Sequence, residues 1–198
     1  MRRIGLFGGT FDPPHLGHLC IALWALRQLR LDEVVFVPAG QPPHKSGTPV
    51  SRAAHRLAMT RLAVKGLSGF SVSTLEVCRR GPSFTVDTLR AFRAAHPRSR
   101  LFLILGADGL AEFRTWHEPR EIARLAALAV AARPGSRRTH ARHAGVPASR
   151  VVWLDNPTVS VSSSAVRERV RRGRSLSYAV PETVARYIAR HQLYRQGA

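Results

Sequence analysis

The sequence predicts an α/β protein, a doubly wound and mostly parallel sheet with helices on both faces and a helical segment at the C-terminus. Two observations predict it. Short apolar runs of strand length alternate along the chain with segments whose apolar residues recur at helical spacing. One run, Leu101 to Leu105, is apolar without a break and stops at Gly106, as a strand covered on both faces near the centre of a sheet does.

Taken in order, Arg3 to Phe7 reads as the first strand, and Leu16, Leu19, Cys20 and Leu23 at i, i+3, i+4 and i+7 predict one face of a first helix. Val34 to Val37 is the second strand, closed by Pro38. Ser51 is placed to N-cap a helix whose inner face holds Ala54, Leu57, Ala58 and Leu62. Phe70, Val72 and Thr74 alternate as in a half-buried strand, and Thr85 to Ala95 follows as a helix with Val86, Leu89 and Phe92 inward. After the central strand come a helix around Glu121 to Ala127, a strand around Ala129 to Ala132 and a strand at Val151 to Leu154. The stretch from Pro134 to Arg150 is polar and rich in Arg and His, a loop or an exposed helix. Helices near Ser164 to Arg172 and Pro181 to His191 close the chain, the latter with Val184, Tyr187, Ile188 and His191 at helical spacing.

With 198 residues, 44% of them hydrophobic, the chain is long enough for one good core and too short for two full-sized domains, so a single domain over 1–198 is expected. Every apolar stretch falls short of the roughly 20 residues that cross a bilayer, and the N-terminus enters a strand with no leader pattern, so no membrane association is expected. Cys20 and Cys78 lie far apart in apolar-periodic segments and read as buried, reduced thiols of a cytoplasmic protein. The net charge of +19 comes almost wholly from arginine, since Lys45 and Lys65 are the only lysines. Such a balance favours polyanionic ligands, either nucleotides or nucleic acid. Arg90, Arg93, Arg120 and Arg124 are scattered over helix faces and read as solvated. With 7% aromatic residues and no basic cluster interleaved with them, the chain lacks the stacking platform of a nucleic-acid binder.

The most informative segment is Gly8-Gly9-Thr10-Phe11-Asp12-Pro13-Pro14-His15-Leu16-Gly17-His18, between the first strand and the first helix. Gly8 and Gly9 allow close backbone approach to a ligand, and a helix starting near His15 presents N–H groups at its positive end, which makes an anion site. His15 and His18, three apart, share one helix face and can address one phosphate, with Gly17 leaving space beside them. The G-x-G-x-x-G fingerprint of dinucleotide cofactor sites is absent. A histidine pair can also hold zinc, but no nearby carboxylate or thiol pattern completes the ligand set, so no protein metal site is expected.

Gly8 to His18 resembles the T/H-x-G-H loop of the nucleotidyltransferase superfamily and, in its full form, that of bacterial nicotinate mononucleotide adenylyltransferases. Five more segments are similar in order: Pro38 with Pro42-Pro43-His44-Lys45, Ser83 to Leu89, Leu105-Gly106-Ala107-Asp108 with Phe113 and Trp116, Ala132-Arg133-Pro134-Gly135, and Val161 to Arg167, followed by a tail ending His191-Gln192-Leu193-Tyr194. Phe84 stands where tyrosine is expected, so that hydroxyl's hydrogen bond is lost, and Ser164 stands where threonine is usual.

The resemblance implies a Rossmann-like fold and transfer of the adenylyl group of ATP to nicotinate mononucleotide, with pyrophosphate released and magnesium arriving on ATP. It implies catalytic roles for His15, His18, Lys45 and Arg167, with His18 nearest the α-phosphate. ATP would further meet Gly8, Gly9, Thr10, Phe11, Gly106, Asp108 and Arg133, and its β- and γ-phosphates would meet Ser162, Ser163 and Arg167 at a helix start. The mononucleotide would meet Thr10, Lys45, Phe84, Thr85, Gly106 and Ala107, its pyridine ring stacking on Trp116. Asp12, Asp87 and Asp108 could hold waters or ribose hydroxyls, Asp108 at the adenosine end. Phosphopantetheine adenylyltransferase is the nearest alternative in the superfamily and would carry threonine in place of His15. Nothing in the sequence decides whether the protein is a homo-oligomer.

Overall fold

The computed structural model describes residues 1–41, 50–131 and 145–195. The order of elements is β1 (Arg3–Gly9), α1 (Leu16–Gln28), β2 (Glu33–Pro38), α2 (Ala53–Val64), β3 (Phe70–Val72), α3 (Thr85–Ala95), β4 (Arg100–Gly106), α4 (Ala107–Ala111), α5 (Pro119–Leu125), β5 (Ala126–Ala131), β6 (Val151–Leu154), α6 (Ser163–Arg171) and α7 (Glu182–Arg190). Among the described residues six strands form one sheet in the order β3-β2-β1-β4-β5-β6, and every pairing is parallel. The fold is α/β and Rossmann-like, with a doubly wound sheet and closing helices. No helix among the described residues is long and apolar enough to cross a membrane.

The strands divide their side chains between two faces with period two. Leu101, Leu103 and Leu105 of β4 join Ile4, Leu6, Val35 and Val37 in a core covered by Val86 and Leu89 of α3 and Ile122 of α5. The alternate residues Phe102 and Ile104 join Phe7, Val34 and Phe36 on the opposite face, under Ala22 and Ala25 of α1. A third cluster joins Met59 and Ala63 of α2 to Val166 of α6 and to Val184 and Ile188 of α7. The C-terminal helices are thereby fixed to the second helix.

Three expectations need correction. The buried positions of α1 are Gly17, Ala22 and Ala25 rather than the larger residues at Leu16, Leu19, Cys20 and Leu23. Ala127, Ala129 and Ala131 of β5 share the core with Ala22 and Ala25, and small residues on both partners let a helix lie close to a sheet. The alanine-rich stretch also turns from helix to strand at Ala126 rather than near Ala129, because ladder bonds to β4 and β6 outweigh the modest helix preference of alanine. In α2 the buried residues are Arg56, Met59, Thr60, Ala63 and Val64, so the inner face is rotated from the one the apolar spacing predicts, and Arg52 rather than Ser51 precedes the first turn. An arginine, Arg56, is thus among the most buried residues of that helix, beside Met59 and Thr60. Cys20 and Cys78 form no disulfide, but neither is buried as expected: Cys20 is partly exposed and Cys78 exposed.

Candidate active site

The chain leaves β1 toward β2 and β3 on one side and returns through α3 to β4 on the other, so β1 and β4 are neighbours whose connections diverge. The carboxyl ends of two such strands bound a crevice, the usual ligand position in an open α/β sheet. Here the crevice holds two cavities, one of about 230 Å³ and one of about 510 Å³, with Gly8 and Gly9 on the first and the histidines on the second.

The turn after β1 carries the polar groups. Phe11 has φ 50° and is 2% exposed, its ring lying edge-on to Phe7 at 5.7 Å and to His18 at 5.0 Å. His15 precedes the first turn of α1 in an extended conformation. Its backbone N–H donates to His18 Nδ1 at 3.1 Å, and the two imidazoles stack with centroids 3.6 Å apart. A ring nitrogen that accepts a hydrogen bond carries no proton, so the neutral His18 ring places its proton on Nε2. The backbone thereby sets which ring nitrogen is the donor. A Cβ on Gly17 would come within 3.0 Å of His15 Nδ1, so only glycine leaves that ring its place. Two N–H groups of this helix start, expected to face an anion, are spent within the protein: that of Leu16 on the Ala179 carbonyl and that of His18 on the His15 carbonyl, each at 2.9 Å.

The larger cavity is lined by His15, Gly17, His18, Ile21, Gly106 and Ala131, by the 156–162 segment and by Ala165. Ser162 caps α6 by accepting the Ala165 N–H at 3.2 Å. Ser163 donates to the Pro13 carbonyl at 2.9 Å, and Arg167 Nη1 donates to the Asp12 carbonyl at 2.8 Å. These two bonds dock the start of α6 on the turn after β1.

The smaller cavity is largely apolar. Leu6, Leu103 and Leu105 from the sheet and Phe84, Leu89 and Trp116 are among its lining, with Thr10, Glu76, Ser83, Thr85, Thr88 and His117 as its polar residues. Glu76, 8% exposed, accepts the Thr88 hydroxyl at 2.7 Å. Burial pushes the Glu76 carboxyl above the ordinary carboxylate range, opposed by the Thr88 hydrogen bond and by the charge of Arg79. A Cβ on Gly40 would lie 2.2 Å from the Glu76 carbonyl, so the end of the β2 loop packs directly on this acid's backbone. The Trp116 to Glu118 turn is held to α3 by Arg90, whose two terminal nitrogens bind Glu118 at 3.1 and 2.5 Å. The His117 ring lies 4.5 Å from that of Phe84.

The structure thus brings His15, His18, Gly106 and Ser162 to one cavity and Gly8, Gly9, Thr10, Phe84, Thr85 and Trp116 to the other. Phe11 and Ala107 are buried and line neither. Asp108 is exposed at the start of α4, beside Gly106. Asp12 is 3% exposed and turned inward, and Asp87 faces Arg90 at 3.6 Å. Lys45 and Arg133 lie outside the described residues, as does most of the Arg- and His-rich stretch. Sequence reasoning missed Ile21 and the run Asn156 to Val161 on one side, and Glu76, Ser83, Thr88 and His117 on the other. The run could have been found, since it directly follows a strand of a parallel sheet and precedes Ser162.

Residues 6–169 match the family model described as cytidylyltransferase-like. A protein of Thermomicrobium roseum named "probable nicotinate-nucleotide adenylyltransferase" is 47% identical over 198 residues, covering 98% of this chain and 92% of its own. A Thermus thermophilus protein of the same name is 48% identical over 193 residues, covering 98% of this chain and all of its own. The chain belongs to the nicotinate-nucleotide adenylyltransferase family. Its fold is also that of a Plasmodium falciparum nicotinic acid mononucleotide adenylyltransferase, with a TM-score of 0.83 at 19% identity and 98% of each chain covered. Within this family member, the Gly8 to His18 segment lies between the two cavities of the crevice.

Proposed function

We propose that the protein joins the 5′-phosphate of nicotinate mononucleotide to the AMP moiety of ATP, forming nicotinate adenine dinucleotide and pyrophosphate. The observation that carries this reading is the pair of cavities lined in turn by the segment after β1: an apolar one beside Gly8 to Thr10, with a tryptophan wall, suits a pyridine ring, and a larger one beside His15 and His18 suits adenosine with its phosphates. A phosphate monoester has a second pKa near ~6, so the attacking oxygen is largely ionised at neutral pH and needs no general base. That oxygen attacks the α-phosphorus while the bond to the bridging oxygen of pyrophosphate breaks. Catalysis then rests on alignment and on positive charge about the phosphates.

In this reading His18 Nε2–H meets the α-phosphate and His15 lies behind it. The start of α6, with Ser162, Ser163 and Arg167, faces the β- and γ-phosphates, and Arg167 has nitrogens to spare beyond the one spent on Asp12. Lys45 and Arg133 add charge from the loops that carry them, and Asp108 serves the adenosine ribose. Magnesium comes bound to ATP and neutralises its phosphates. Such an ion would be ligated mainly by phosphate and water, and Asp12 lines neither cavity. Trp116 holds the pyridine ring and the backbone near Thr85 reads its substituent, while Gly106, on the wall of the other cavity, meets the adenosine side.

Pyrophosphate release from ATP, measured with nicotinate mononucleotide, nicotinamide mononucleotide and phosphopantetheine, tests the assignment. A charge-assisted hydrogen bond left unmade corresponds to roughly 10- to 150-fold in kcat/KM, so nicotinate mononucleotide should lead by about that ratio. Phosphopantetheine as the best acceptor, or no release with any of them, would overturn the reading.

A further inference from the structure

The end of the chain is fastened to the turn that leads into the histidine pair. Beyond α7 the backbone passes through Gln192 and Tyr194 at φ 50° and 67°. Tyr194 packs against the α2 to α7 cluster, and its hydroxyl donates to Asp12 Oδ1 at 2.6 Å across 182 positions of sequence. The other carboxylate oxygen of Asp12 accepts the Ser51 N–H at 3.1 Å, and its carbonyl accepts Arg167. Asp12 is therefore a junction of four segments and lines neither cavity.

Arg56 completes the junction from beneath. The side chain is 2% exposed. Its Nε donates to the Ser51 carbonyl at 2.9 Å, Nη1 to the carbonyls of Thr10 and Ala39 at 3.0 and 2.6 Å, and Nη2 to that of Gly40 at 2.9 Å. Burial pushes its pKa down, and the nearby Asp12 charge opposes that shift. Asp12 thus supplies the counter-charge of a buried guanidinium. Phe11, between Thr10 and Asp12, holds a left-handed backbone that a bulky residue keeps only when its surroundings over-determine it.

We infer that Tyr194 is a positioning residue for adenylyl transfer: its hydroxyl locks Asp12, and so sets the Gly8 to Thr10 backbone against the His15 and His18 pair. The inference rests on the functional reading above. The hydroxyl keeps its proton throughout the working range, because burial and then the charge of Asp12 push its pKa far up. It remains a donor to an acid that touches no substrate, and its effect on the reaction passes wholly through the turn.

The test is Tyr194→Phe, which removes the hydroxyl and keeps the ring, assayed with ATP and nicotinate mononucleotide beneath its melting temperature. We expect kcat to fall about 10-fold, as a slight misplacement of reacting groups produces, with KM for the mononucleotide within about twofold of wild type. In an Asp12→Asn background the same change should lower kcat by less than about twofold, since the locked carboxylate is already gone. The imidazole ¹H–¹³C resonances of His15 and His18 should shift in Tyr194→Phe and stay in place in Tyr178→Phe, Tyr178 being 91% exposed. Unchanged kcat, an equal loss in both backgrounds, or unmoved imidazole resonances would each overturn the inference while an active wild type leaves the functional reading standing. An inactive wild type would overturn both.

Discussion

The two cavities of the crevice are built by opposite means. Around the histidines the backbone is tied by polar bonds, Tyr194 to Asp12 and α6 to Asp12 and Pro13, while Arg56 beneath the turn binds four carbonyls, of which those of Thr10 and Ala39 also belong to the wall of the other cavity. Around Trp116 the walls are leucines and aromatics, with a buried acid as the main polar element. A site that aligns charged, mutually repelling groups needs directional bonds that fail abruptly when one partner is removed. A site that receives a flat ring needs shape, and its losses are graded. The difference predicts that substitutions on the histidine side act on kcat and folding, and those on the tryptophan side act on KM.

The largest effect is expected where the polar side is most buried. Arg56→Met leaves Asp12 charged without its partner and four carbonyls without a donor, and should destabilise the fold by about 3 to 5 kcal/mol in urea unfolding. A loss under about 1 kcal/mol would show that this side is held by packing, and would erase the contrast. His18→Ala comes next. A donor aimed at developing charge is worth roughly 10² to 10³ in rate, so kcat should fall by that factor while KM for the mononucleotide changes little. Trp116→Ala should do the reverse, raising KM for nicotinate mononucleotide roughly 10-fold through lost stacking and leaving KM for ATP near wild type. If the variant instead loses kcat, the ring cavity is part of the catalytic alignment.

The smallest effect sharpens the apolar side. Burial raises the pKa of the Glu76 carboxyl in the folded protein. Below the ordinary carboxylate range the acid is neutral in both states and its full contribution is present. As pH rises toward and through the raised value, the unfolded chain ionises first and stability is lost. Glu76→Gln stays neutral and can still accept from Thr88, so its melting temperature should exceed that of wild type at neutral pH by a few degrees, with the gap closing near pH 4. A gap independent of pH would mean that the Glu76 carboxyl titrates alike in the folded and unfolded chain, and so that burial does not raise its pKa.

These contrasts also explain what could be read in advance. The sheet was legible because apolar runs such as Leu101 to Leu105 admit few other structures. Gly8 to His18 stood out because glycines and paired histidines at a strand end favour binding an anion, and the structure places parts of that segment on the walls of both cavities. Arg56 was not, because a spacing rule that places apolar residues inward assigns an arginine to solvent. Only the convergence of four carbonyls from two loops makes its burial favourable, and that convergence is a property of the fold. Glu76 was hidden for the same reason, since the partner that accommodates it, Thr88, lies on the next helix. Tyr194 appeared in a terminal match with no role attached, because its contact with Asp12 spans nearly the whole chain.

The most direct test of the account is the position of the bound product. In a crystal of the protein with nicotinate adenine dinucleotide, the pyridine ring should lie against Trp116, the adenine between Ile21 and the 156–161 segment, and the pyrophosphate bridge beside His15 and His18. A dinucleotide bound in the reverse direction, or with its phosphates away from the histidine pair, would contradict the account.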